Sequence, residues 1–229
     1  MEGLREIRKR IIIVGSTGGL GSRIAHFLRT NHADEFDLFE LSRAALLTPQ
    51  GSHELDFDAQ NHPHNVLFYQ QLAAQHGPFW AVIDATGFNL SGSLTKHPWA
   101  TIPTQIEINL LNPICLAYSF SPMMTSLGGR FIFFSSVLAE KYVFGTNIYS
   151  VSKIALEKFV SNFALETKAK NLTINCIQLS YYNFGMIRQV PADLLDTIGV
   201  LSDFSRIIPT LEYILSESSF DTSGKVFKL

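Results

Sequence analysis

Near its N-terminus the chain runs from Arg10-Ile11-Ile12-Ile13-Val14 into Gly15-Ser16-Thr17-Gly18-Gly19-Leu20-Gly21, and then into an amphipathic segment, Ser22 to Thr30. A short β-branched run bounded by glycine reads as a buried strand. The glycines permit a tight turn and a close backbone approach. The helix that follows aims free N–H groups and the positive end of its dipole at whatever lies over that turn. Strand, glycine turn and helix make the first half of a site for a dinucleotide pyrophosphate. The spacing is G-x-x-x-G-x-G rather than G-x-G-x-x-G, and taken alone it also fits a plain tight turn.

Strands and helices then alternate along the rest of the chain. Phe36–Leu41 reads as a second strand and His53–Asp58 as the end of a third. A polar turn, Asn61–Asn65, leads to a helix over Val66–His76 that Gly77-Pro78 stops. Trp80–Ala85 is a fourth buried strand, followed by a loop region over Ser91–Pro103. A long helix over Ile102–Leu127 should be interrupted by Pro113 and Pro122. After the apolar strand Phe131–Phe134, Ile148–Lys168 reads as a helix whose apolar positions, Ile154, Phe159, Phe163 and Leu165 among them, cover the sheet. Leu172–Leu179 is the sixth strand, Phe204–Ser216 the last helix and Gly224–Leu229 a closing strand. This order predicts an α/β fold: a doubly wound, mainly parallel sheet in a Rossmann-type three-layer sandwich, with residues 1–229 as one domain.

A length of 229 residues with 46% hydrophobic and 17% charged side chains suits one globular domain. A net charge of −2 gives no basic field for nucleic acid or an anionic membrane. Cys115 and Cys176 stand in no metal-type spacing and suit a reducing compartment. His62 and His64 flank a proline in a polar stretch, so a solvated loop is expected there and no metal site. The basic start (Arg5, Arg8, Lys9, Arg10) precedes an apolar run too short for a signal peptide, and no stretch is long enough to span a bilayer. The expectation is a cytoplasmic protein with a small-molecule partner.

The chemistry gathers between Phe131 and Glu157. Tyr149 and Lys153 are four residues apart, so on a helix they share one face. A nearby cation favours phenolate and lowers a tyrosine pKa toward neutrality. Ser136, at the end of an apolar strand, can hydrogen-bond a substrate oxygen. Together the three could hold a carbonyl and give it a proton while another group supplies hydride. Tyr-x-x-x-Lys alone is equally an ordinary helix surface. At the end of the second strand, an acid would bond a ribose 2′-hydroxyl and an arginine would accommodate a 2′-phosphate. Ser42 and Arg43 there point to NADP(H) over NAD(H), with Glu40 on the same face as Ser42.

In this order and with these gaps, the residues from Ile11 to about Phe227 resemble the classical-type short-chain dehydrogenase/reductase family. The carriers are the glycine turn, Asp56, Gly87, Asn109, and Tyr-x-x-x-Lys with a serine thirteen residues before the tyrosine. The resemblance implies an oxidoreductase that interconverts a carbonyl and an alcohol. It makes Tyr149 the general acid or base and Ser136 the group that steadies the substrate oxygen. Lys153 would lower the tyrosine pKa and hold the nicotinamide ribose. Asn109, with Asn112 as competing candidate, would bend its helix and anchor a proton-relay water. It places the cofactor against Gly15, Ser16, Thr17, Gly19, Leu20, Gly21, Ser42 and Arg43. Asp56 and Phe57 would sit against the adenine, and Ala85, Thr86, Gly87, Tyr149, Lys153 and Leu179 would complete the site. It also implies a homodimer or homotetramer.

The chain departs from the family's pattern in several places. Val14 replaces a threonine, and Asp84-Ala85-Thr86-Gly87 replaces Asn-Asn-Ala-Gly, which makes Asp84 a buried acid in need of partners. Leu179-Ser180 and Phe184 replace the proline, glycine and threonine that hold the nicotinamide. The family's closing Asp-Gly-Gly is not reached, so a contact made by that tail should be missing. A substrate lid is expected over 183–203, apolar through Met186, Ile187, Leu194, Leu195 and Ile198, which suits a substrate with an apolar part. The altered 179–184 segment also allows another reading, a catalytically weak NADP(H)-binding scaffold or sensor. Tyr181-Tyr182 would allow stacking on a flat pterin-like or quinonoid substrate.

Overall fold

Strand β1 (Lys9–Val14) carries Ile11 to Val14 with no exposed surface on either face, so it needs a covered sheet on both sides. It pairs in parallel with β2 (Phe36–Leu41) and with β5 (Ala81–Asp84). The computed structural model describes residues 8–43, 45–49, 51–54, 62–124, 128–189 and 200–229. Among these the remaining strands are β3 (Ala45–Thr48), β4 (Gly51–Glu54), β6 (Gly129–Ser136), β7 (Leu172–Leu179) and β8 (Val226–Lys228). They complete an eight-stranded sheet in the order β4-β3-β2-β1-β5-β6-β7-β8. Only β3 and β4 run antiparallel to their neighbours.

Alternation along β1 divides the core. Ile12 and Val14 join the cluster under α2 (His62–His76), α4 (Asn112–Met124) and α5 (Asn147–Thr167). Ile11 and Ile13 join the cluster under α1 (Gly21–Asn31) and α6 (Ile208–Leu215), the sixth helix after the short α3 (Thr101–Ile106). The result is the three-layer, doubly wound sandwich that the sequence predicts. Sheet order reverses between β1 and β5, and the carboxyl ends of these two strands mark the switch point at which sheets of this kind hold a ligand in a crevice.

Several elements differ in detail. The chain after β2 turns back at once: Ser42 Oγ accepts from the Ala45 N–H and bonds its carbonyl, both at 3.1 Å. Thr48 Oγ1 then donates to the Gly51 carbonyl at 3.1 Å, and Gly51 takes a φ of 144°. The hairpin β3–β4 was not expected; its second strand takes in His53 and Glu54 of the strand end expected over His53–Asp58. Residues 55–61, with Asp56 and Phe57, lie outside the described residues. Helix α2 begins at His62, so all of the expected polar turn after Asn61 is its first turn.

The long helix breaks before its prolines, in a π-helical turn over Glu107–Leu111. Pro113 has no N–H to give the Asn109 carbonyl, and the Asn112 N–H bonds the Glu107 carbonyl five residues back. On α5 the sheet is covered by Leu156, Val160 and Ala164, with Phe159 and Phe163 partly buried, whereas Ile154 and Leu165 are exposed. Among the described residues no helix is long and apolar enough to cross a membrane.

Candidate active site

The turn after β1 is built from backbone. Gly15 takes a φ of 81°, and a Cβ on Gly21 would stand 2.2 Å from the Gly15 carbonyl oxygen. The N–H groups of Gly15 and Ser16 both donate to Leu41 O, at 2.8 and 3.1 Å, and Gly18 N–H donates to Gly15 O at 3.0 Å. Among the described residues, the N–H groups of Thr17, Gly19 and Leu20 have no acceptor. Helix α1 starts there with Leu20 at its cap, no capping side chain and no acid in its first turn. Orphan donors at an uncapped helix N-terminus suit an anion, so the expected pyrophosphate fits this turn.

The residues beside the adenosine end of such a cofactor are partly committed. Glu40 is buried and paired with Arg29, and the Ser42 hydroxyl is used in its own turn. Arg43 is exposed at the bend after β2.

Strand β5 delivers Ala85, Thr86 and Gly87 to the crevice, and two asparagines of the broken helix hold that stretch. Asn109, buried in the π-helical turn, accepts from Phe88 N–H at 2.9 Å and donates to Phe88 O at 2.7 Å and Ser152 Oγ at 3.2 Å. Asn112 accepts from the Tyr69 hydroxyl at 2.9 Å and donates to Asp84 Oδ2 and Thr86 Oγ1, each at 3.3 Å. Asp84 Oδ1 accepts from Thr86 N–H at 2.9 Å and Thr86 Oγ1 at 2.6 Å. The buried acid thus has partners, yet desolvation raises its pKa from 3.8 to about 6. Tyr69 and Ser152 were not foreseen. Tyr69 is followed by Gln70-Gln71 and Ser152 stands between Ser150 and Lys153, so no break in an apolar pattern marks either one.

Ser136, Tyr149 and Lys153 come together as expected, all buried. Ser136 ends β6 beside Leu179 of β7, and its Oγ accepts from Leu138 N–H at 3.2 Å and hydrogen-bonds Tyr149. Lys153 Nζ donates to the Phe134 carbonyl at 2.9 Å and lies 5.7 Å from the centroid of the Tyr149 ring. The expected lowering of the tyrosine pKa by Lys153 is not seen. Burial pushes Tyr149 up to about 12, and the bond with Ser136 is the opposing influence. Burial also lowers Lys153, against the raising influence of Cys176, Asp84 and Glu157.

The segment after β7 crosses the crevice. Phe184 is buried in the α1–α6 layer against Tyr182 and Phe204, with Arg23 over its ring at 4.4 Å. It offers no hydroxyl where the family places threonine. Gly185 lies against the glycine turn, so that a Cβ on Gly19 would meet its backbone at 2.6 Å. Met186 Cε would stand 3.5 Å from a Cβ on Gly87. Tyr182 is likewise buried, which leaves only the half-buried Tyr181 to stack on a ligand. Of the expected lid, residues 190–199 lie outside the described residues. Among the described residues no group of three or more His, Cys, Asp or Glu side chains could hold a metal.

Residues 9–194 match the family model described as short chain dehydrogenase. An acetoacetyl-CoA reductase from an Acinetobacter species is 23% identical over 238 residues, covering 97% of this chain and 96% of that protein. Two solved structures share the fold. One, ElxO with NADP bound, has a TM-score of 0.81 at 15% identity and covers 97% of each chain. The other, 4-hydroxyisoleucine dehydrogenase complexed with NADH, has a TM-score of 0.80 at 18% identity, covering 97% of this chain and 96% of its own.

Proposed function

The chain belongs to the short-chain dehydrogenase family of oxidoreductases, and from that premise we propose that it reduces a carbonyl to an alcohol with NADP(H), using Tyr149 as the proton donor. The observation that carries this reading is the buried Ser136–Tyr149 pair with Lys153 on the same helix face, at the carboxyl end of β6 beside the β1–β5 switch point. Burial keeps the Tyr149 phenol protonated at physiological pH, the form that a proton donor in reduction needs. Ser136 steadies the substrate oxygen beside that phenol. Lys153 fixes the Tyr149 side of α5 to β6 and brings positive charge to the pocket. Asn109 fixes the Phe88 backbone and, through Ser152, the helix that carries both groups.

The free N–H groups of Thr17, Gly19 and Leu20 would hold the cofactor's pyrophosphate, and the backbone of Ala85–Gly87 would flank it. A nicotinamide dinucleotide bound there supplies the hydride. Arg43, exposed where a 2′-phosphate would be read, supports NADP(H). The similar reductase named for acetoacetyl-CoA makes short 3-oxoacyl thioesters the first substrates to assay. Exposed Tyr118 and Met123 on α4, with Val151 and Ile154 on α5, support a homo-oligomer.

Tyr149→Phe should reduce turnover by about 10²–10⁴-fold while NADPH binding is retained. Near-wild-type turnover would remove Tyr149 from the role of acid. The scaffold reading is favoured by one observation, the seating of Phe184 and Gly185 across the crevice. It predicts that wild-type and variant protein are equally inactive on every carbonyl tried.

A further inference from the structure

We propose that Asp84 is the buried counter-charge that keeps Lys153 a cation, a positioning role that deepens the reading above and rests on it. Asp84 closes β5 and pairs in register with Phe133 of β6, whose next residue, Phe134, gives its carbonyl to the Lys153 ammonium at 2.9 Å. Its carboxylate receives three donated bonds, two from Thr86 and one from Asn112. An oxygen pair that only accepts is arranged for the ionised form. Among the described residues no cation bonds it directly, so its charge is unspent within its own hydrogen-bond shell.

The other ionisable groups around this interior do not supply that charge. Tyr69 reaches it from α2 through Asn112, Cys115 belongs to α4 and Cys176 to β7. Cys176 is a larger influence on Lys153 than Asp84, but only as a thiolate, and burial pushes its thiol up to about 12; it, Tyr69 and Cys115 are all raised and so neutral at physiological pH. Glu157 also acts on Lys153 from α5, but it is only half-buried and takes a bond from Gln178. Among the described residues, Asp84 is therefore the fully buried acid that acts on a lysine whose own burial works against its charge. An asparagine could take nearly the same hydrogen bonds, with Asn112 turned over to present its oxygen. What the acid adds over the amide is charge.

The test needs neither cofactor nor substrate. Protein labelled at lysine Cε is titrated by NMR, and the Lys153 resonance is assigned by its loss in Lys153→Met. In the wild type this resonance should show a second, smaller inflection near pH 6, where Asp84 titrates. In Asp84→Asn that inflection should vanish, and Lys153 should lose its proton about 1 pH unit lower. Thr86→Val removes a hydrogen bond and leaves the charge, so it should leave the Lys153 midpoint in place. A wild-type curve with no inflection would overturn the proposal. So would an Asp84→Asn curve that overlays the wild type, or a Thr86→Val shift as large as that of Asp84→Asn. An inactive protein that retains this coupling would count against the proposed reduction and not against the counter-charge.

Discussion

Asp84 holds its charge at a cost that the surrounding bonds only partly offset. Its pKa in the folded chain is about 6, against 3.8 as its ordinary value, because desolvation outweighs the bonds from Thr86 and Asn112. Between those two pH values the folded state binds more proton than the unfolded state. Stability therefore falls as pH rises through this window, and the full cost is present at pH 7. A difference of about 2 in pKa corresponds to roughly 3 kcal/mol. Asp84→Asn should thus be more stable than wild type in urea at pH 7.5, by up to roughly that amount, with the gap closing by about pH 4. A variant less stable at pH 7.5 than at pH 4, relative to wild type, would mean that the amide cannot take over the acid's bonds. Tyr149 teaches a related lesson. Its spacing from Lys153 and Ser136 places the three together from sequence, because helix periodicity fixes which side chains share a face. The direction of its pKa could not be read that way. Burial depends on what the other layers bring over the helix, and it overrides the influence expected of the lysine.

At the scale of elements, the parallel strands were legible because each is a short apolar run between breakers, and a strand buried on both faces admits no other pattern. The β3–β4 hairpin was not, because Ser42, Thr48 and Gly51 make its turns with single side-chain and backbone bonds that leave no periodicity. The face of α5 was misjudged where Ile154 and Leu165, apolar by type, point outward. Arg130 was passed over entirely. It is fully buried at the end of β6 away from Ser136, stacked between Trp80 at 4.3 Å and Phe220 at 3.9 Å. Its guanidinium donates to Ile214 O at 2.9 Å and Ser216 O at 2.7 Å, carbonyls at and just past the end of α6 that the Ser219 hydroxyl also bonds. It fastens the last helix to the sheet. Arg130→Met keeps the bulk but removes both bonds and the stacked cation, leaving the carbonyls to the Ser219 hydroxyl alone, and should cost about 1–3 kcal/mol in urea denaturation. Because the residue lies at the opposite end of β6 from Ser136, NADPH affinity of the folded variant should be unchanged. A loss of affinity without a loss of stability would contradict this division.

Across the whole molecule, the crevice is made of parts that few covalent links hold together. The glycine turn follows β1, the Ala85–Gly87 stretch follows β5, Ser136 ends β6, and the segment over Gly19 follows β7. A ligand that bridges them ties both helix layers to the same sheet edge, so its binding should appear in global stability. By mass action, free NADPH at 100 times its dissociation constant adds about 2.7 kcal/mol. For a chain of this size that is a rise in Tm of about 5–11 °C. NADH at the same concentration should raise Tm by less, if Arg43 reads the 2′-phosphate. Arg43→Ala should lower the NADPH shift toward the NADH value and leave the NADH shift alone. Equal shifts from the two cofactors in the wild type would take Arg43 out of the reading and leave Glu40, released from Arg29, as the group to examine. No shift from either would mean that Phe184 and Gly185 keep the crevice shut against both cofactors. The intact Ser136–Tyr149–Lys153 set would then stand beneath a site that binds no nicotinamide dinucleotide, and the scaffold reading would replace the proposed reduction.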